Sequence, residues 1–207
     1  MNKKDPKYIL LFIILISLVF GVAISAVHYM TLPMLEKNEA LHKNRIISRA
    51  FLLDIEGESP SDYEKAIQNN IIIDSIKVGD TRVELFQHKD NDNIGFVFHG
   101  LGFWEPISGI IVMDENLNKI INLKILDQKE TPGLGARIEE QWFTDQFKEL
   151  PIKWNAEQKL IIGSTPNADK SNVVDAITGA SQTSVALMNM LNENLTQFKE
   201  SYEKRKQ

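Results

Sequence analysis

No cysteine occurs anywhere in the 207 residues. That absence excludes structural disulfides, thiol nucleophiles and Cys-ligated iron–sulfur clusters. Any redox chemistry must then come from a bound organic cofactor or from a metal held by other ligands. Histidine is scarce too: His28, His42, His88 and His99 are scattered without metal-ligand spacing, so no metal site is expected. Also missing are a G-x-S-x-G elbow, an H-E-x-x-H pair, a P-loop and a dinucleotide-binding glycine fingerprint. No catalytic residue is expected, and neither is direct oxidation of a nicotinamide. Positive charge is in deficit: the net charge is −5, and Lys3, Lys4 and Lys7 against Asp5 give the first 30 residues +2, so the remainder holds −7. An acidic body argues against a nucleic-acid partner. Neither internal repeats nor low-complexity segments occur.

What is present begins with an apolar run. Residues 8–35 hold no charged side chain if His28 is neutral, and the centre from Ile9 to Phe20 is apolar on every side. About 20 such residues cross a bilayer as a helix. Lys3, Lys4 and Lys7 before it predict a cytoplasmic N-terminus and an exported remainder. Ala23-Ile24-Ser25 resembles a signal-peptide cleavage site, but the apolar run continues through Ala26 and Val27, which favours an uncleaved single-pass anchor in the cytoplasmic (inner) membrane. We divide the chain into an anchor over 1–30, a connecting amphipathic helix over 31–54 with Pro33 in its first turn, and an exported domain over 55–207.

In that domain, Ser59-Pro60 predicts the start of a short helix. Short runs rich in β-branched and aromatic residues follow at 71–73, 82–86, 95–99, 109–113 and 119–126, the last two joined by an Asp/Asn-rich hairpin turn. Further expectations are a helix over 139–150 with Trp142, Phe143 and Phe147 buried, a strand over 159–163, a polar loop over 165–171 and a closing helix to about Tyr202. The fold class is α+β: a mixed, mostly antiparallel sheet domain flanked by helices.

Three stretches invite a ligand. Glycines and a proline around Phe103 and Trp104 form a loop that presents rings, although a lone tryptophan more commonly caps a core. Glu130-Thr131-Pro132-Gly133-Leu134-Gly135 predicts a type II turn with a close backbone approach at Gly135. Asp175-Ala176-Ile177-Thr178-Gly179-Ala180-Ser181-Gln182-Thr183-Ser184 runs into a helical pattern that puts Leu187, Met188, Leu191 and Leu195 on one face. A helix start of small and hydroxyl residues can receive a phosphate, and equally Thr178, Ser181 or Thr183 can serve as an ordinary N-cap.

The last stretch resembles the covalent-flavin motif D-x-x-(S/T)-G-A-(S/T)-x-T, with Asp175, Thr178, Gly179, Ala180, Ser181 and Thr183 at its fixed positions. E-T-P-G-L-G, about 50 residues earlier, resembles the second signature of the same family, and two ordered motifs arise by chance far less often than one. The resemblance is to the FMN-binding domain shared by the G subunit of Rnf electron-transport complexes and the C subunit of Na+-translocating NADH:quinone reductases. It implies FMN bound covalently through a phosphoester to Thr183 by a flavin transferase, with Trp104, Thr131 and Leu134 beside the isoalloxazine and Glu130, Gly135 and the other motif residues around it. It also implies an electron-carrier subunit of an ion-translocating oxidoreductase, with other membrane subunits and the lipid bilayer as partners. The short chain leans towards the Rnf complex, ferredoxin:NAD+ oxidoreductase; the quinone reductase and a membrane-tethered sensory module are the alternatives. The flavin reading requires the three loops to converge and the Thr183 oxygen not to be sealed in the core.

Overall fold

The computed structural model describes residues 6–78, 81–163 and 170–206, which divide between His42 and Lys43 into two units. The first is helical and belongs to α1 (Pro6–Ala50), in which Ile9, Leu10, Leu11, Phe12 and their successors to Phe20 are exposed. A helix apolar on all sides and uncovered by protein is suited to hydrocarbon, and its length and composition suffice to cross a bilayer. Pro33 does not open a new helix: α1 continues through it. Proline removes one backbone donor there, while the neighbouring Thr31 hydroxyl donates to the Val27 carbonyl at 2.9 Å.

The second unit is built on a six-stranded antiparallel meander: β1 (Ile71–Val78), β2 (Thr81–His88), β3 (Ile94–Leu101), β4 (Pro106–Met113), β5 (Lys119–Asp127) and the short β6 (Leu150–Pro151), side by side in chain order. All five strand runs read from the sequence are strands. A small parallel pair, β7 (Ile161–Ile162) with β8 (Val173–Val174), makes the whole mixed but mostly antiparallel. The strand expected over 159–163 shrinks to two residues because Asn192, on a helix described next, takes the Leu160 backbone, accepting from its N–H at 3.0 Å and donating to its C=O at 2.9 Å.

Alternation on β4 explains the two cores. Ile107, Ile111 and Met113 face a large cluster closed by α4 (Ser181–Lys206) through Leu187, Leu191, Leu195 and Phe198, with the Phe198 ring stacked on Phe96 at 4.1 Å. Ile110 and Val112 face a smaller cluster with Ile47, Ala50 and Phe51 from the end of α1 and Ile67 from α2 (Pro60–Asn70). A strand buried on both faces reads as a continuous apolar run, as 107–113 nearly does.

The helix expected over 139–150 is broken. A 3₁₀ turn at Gly135–Glu139 stops at the extended Glu140, α3 (Gln141–Thr144) is one turn, and a second 3₁₀ turn covers Asp145–Phe147. Pairing of β6 with β5 requires extended chain by Leu150, which leaves no room for a longer helix. Phe143 and Phe147 are buried, but Trp142 is 42% exposed, with the Arg137 guanidinium 5.2 Å over its ring. Most of the loop expected over 165–171 lies outside the described residues.

α1 ends in a Schellman arrangement: Leu53 N–H donates to Ser48 C=O at 2.9 Å, and Leu52, at C′, has φ +55°. The buried Asn122 on β5 donates to the Arg49 and Ala50 carbonyls at 3.0 and 3.2 Å. Removing this amide strands the Ala50 carbonyl beside the smaller core and leaves the Arg49 carbonyl only the 3.4 Å bond from Leu52 N–H. Asn122→Ala is expected to lower the unfolding free energy by about 2–3 kcal/mol, read as a shifted urea midpoint with unchanged slope.

A cleft clasped by a buried carboxylate

The turn after β5 forms as its residues dictate. Leu134 N–H donates to Thr131 C=O at 3.1 Å, and Gly133 takes φ +74°, the sign a type II turn needs at its third residue. The chain then curls into the 3₁₀ turn, leaving Thr131 and Leu134 exposed and drawing Glu130 inward until it is 4% exposed.

A buried carboxylate is costly unless its oxygens are satisfied. Here one oxygen, Oε1, accepts from the backbone N–H groups of Phe103 and Trp104 at 2.8 and 3.0 Å. The other, Oε2, accepts from the Thr183 hydroxyl at 2.9 Å. Two glycines make room: a Cβ on Gly102 would lie 2.5 Å from Oε1, and one on Gly135 would lie 2.6 Å from Thr183 Oγ1 and 2.8 Å from Oε2. Glu130 thus joins the aromatic loop, its own turn and the start of α4.

The first helical bond of α4 runs from Ser184 N–H to Ala180 C=O at 3.1 Å, which makes Ala180 the N-cap residue. Its methyl cannot cap, so the ordinary-cap alternative for Thr178, Ser181 or Thr183 is not what the helix uses. The N–H groups of Ser181, Gln182 and Thr183 have no intrahelical acceptor, and the dipole adds positive potential there. Ser184 braces the turn instead: its hydroxyl accepts from Ile177 N–H and donates to Ala180 C=O, both at 3.0 Å. Gly179, at φ +82°, lets the chain double back beneath Leu134.

These pieces enclose a cleft of about 330 Å³, at the lower end of small-ligand sites. Trp104, Thr131, Leu134, Gly135, Gly179, Ala180, Ser181 and Thr183 line it together with Glu130. Phe103 and Gln182 also line it and were not among the expected cofactor contacts; Phe103 is the neighbour of Trp104 in the ring-presenting loop and meets it edge-on at 5.0 Å. Asp175 and Thr178 are exposed and do not line it; Asp175 N–H donates to Gln146 at 2.8 Å. Trp104 is 65% exposed and so forms a wall, not a core cap. Thr183 is 3% exposed and is one of the residues lining the cleft.

The lining contains no lysine or arginine, so an anion here would rest on backbone N–H groups and the helix dipole. An apolar, aromatic wall and an open helix start in one cleft suit a flat ring with a phosphate tail, which is the shape of FMN. A larger cavity of about 460 Å³ between β1–β3 and α4 holds none of the motif residues.

The clasp is sensitive to a single methyl group. Gly135→Ala is expected to push Thr183 off Glu130 and cost about 1–3 kcal/mol in thermal unfolding, as overpacking usually does. A loss of near-ultraviolet tryptophan signal from Trp104 should accompany it.

Residues 102–196 match the family model described as FMN-binding domain. The C subunit of the Na(+)-translocating NADH-quinone reductase of Neisseria meningitidis is 34% identical over 88 residues, which are 42% of this chain and 34% of the relative. The corresponding protein of Pasteurella multocida is 31% identical over 94 residues, 44% of this chain and 36% of the relative. The match thus spans about a third of the length of these curated relatives. In structure, the chain is similar to the C subunit of that enzyme from Parabacteroides distasonis, with a TM-score of 0.68 at 23% identity, covering 80% of this chain and 93% of that one. Shewanella oneidensis NqrC gives 0.64 at 16%, covering 79% and 99%. These two establish the fold, α+β as expected. Each relative named is a C subunit, which favours the quinone-reductase alternative over the Rnf complex. The aromatic wall, the carboxylate and Thr183 all fall within the residues that match the FMN-binding domain model.

Proposed function

We propose that Thr183 carries FMN through a phosphoester bond, and that the loaded chain passes electrons between neighbouring subunits of a membrane oxidoreductase complex. The complex is of the Na+-translocating NADH:quinone reductase kind, in which this chain takes the place of the C subunit. The observation that carries the reading is that Trp104, Glu130 and Thr183, far apart in sequence, meet around one cleft at the start of α4. Similarity to C subunits supports the choice of complex. The Rnf G subunit, which shares both motifs, is the second reading.

A flavin supplies electron transfer, so the protein need only hold the ring, exclude side reactions and set the potential. Phe103, Trp104 and Leu134 offer apolar surface to the ring, while the α4 N–H groups receive the phosphate. A tether at the tail resists dissociation. The apolar part of α1 anchors the chain in the inner membrane, and Lys3, Lys4 and Lys7 before it support a domain on the outer side. A flavin transferase loads the site; the other subunits and the bilayer are its remaining partners.

Intact mass spectrometry of the chain co-expressed with a flavin transferase should show one added FMN, absent from Thr183→Ala. An unmodified, colourless wild type under those conditions would defeat the covalent reading and favour a tethered sensory module.

A further inference from the structure

The esterified oxygen must lose a proton, and among the described residues lining the cleft one group can take it. Among the lining residues Glu130 is the sole carboxylate, with no histidine, lysine or other base beside it. The other acid of the two motifs, Asp175, does not line the cleft. Glu130 is held in place to receive that proton. The Phe103 and Trp104 N–H groups pin Oε1, so Oε2 stays aimed at Thr183 Oγ1, 2.9 Å away. Gly102 and Gly135 leave the carboxylate the space that a Cβ at either position would take.

Resting on the covalent reading above, we propose that Glu130 is the proton acceptor for flavin loading, so that the acceptor chain and not only the transferase supplies a catalytic group. In this step a flavin dinucleotide is the donor. Thr183 Oγ1 forms a bond to the flavin-side phosphorus, the pyrophosphate P–O bond breaks, and the nucleoside monophosphate leaves with that bond's electron pair. The Oγ1 proton passes to Glu130 Oε2 and then to water. No electrons are gained or lost. The same contact would prepare a buried threonine to react: its hydroxyl already donates to the group that takes its proton.

The test uses the full chain in detergent, purified without flavin, then supplied with flavin transferase and flavin adenine dinucleotide, with adduct formation followed by intact mass. Glu130→Gln keeps an oxygen for the Phe103 and Trp104 N–H groups but removes the acceptor, and should slow loading about 10²-fold or more. Amide hydrogen exchange at Phe103 and Trp104 should remain protected in that variant. Glu130→Asp, which keeps a carboxylate drawn back by one methylene, should recover part of the rate. Loading of Glu130→Gln at the wild-type rate would overturn the proposal. So would slow loading accompanied by lost protection, which would make Glu130 a clasp alone, or an aspartate variant no faster than the glutamine one. A wild type that takes no flavin defeats the covalent reading itself, an outcome distinct from these.

Discussion

A single buried carboxylate organises the functional end of this molecule. Glu130 has left water, and the cost of that is offset by three donors from two other stretches of chain. Two donors are backbone N–H groups and the third is the hydroxyl of a buried helix residue, so drift of any of the three segments would leave the buried carboxyl short of a partner. The two glycines follow from the same constraint, because any side chain at 102 or 135 would collide with the carboxylate or its partner.

The sheet brings the carboxylate to its donors. Antiparallel register pairs Leu101 with Pro106 and Ser108 with Asp127, so the β3–β4 loop and the end of β5 leave the sheet at one edge. Phe103 and Trp104 therefore stand beside Glu130 although 26 residues separate Trp104 from it. α4 supplies the third side, held by Leu187, Leu191, Leu195 and Phe198 over the larger core, with its open N-terminus at the same edge. A rigid sheet and a packed helix thus carry a site made of loops, an arrangement that lets connecting segments hold a fixed geometry.

Much of this was legible in the residues. Short β-branched runs separated by turn residues disclose their strands because each strand is nearly self-describing. The helix over 139–150 was not legible: Phe143 and Phe147 do have helical spacing, but the pairing of Leu150 with Ile120 is a long-range contact that no local pattern contains. Asn192 taking over the Leu160 backbone is another case, a substitution of side chain for strand made 32 residues away. Ser184, at the end of its motif, looked like one more hydroxyl; its bracing of Ile177 appears only when the turn is closed.

By itself the sequence determined what local chemistry can: an apolar helix long enough for a bilayer, a run of strands, a type II turn at Pro132-Gly133, a small-residue helix start, and two motifs whose residues resemble a flavin site. Tertiary structure decided which of those motif residues border the cleft, leaving Asp175 and Thr178 outside it, and turned Glu130 from a turn residue into the partner of Thr183. The reason is that a carboxylate's role depends on which donors reach it, and those donors are brought near by strand register and helix packing, which the order of residues along the chain does not display.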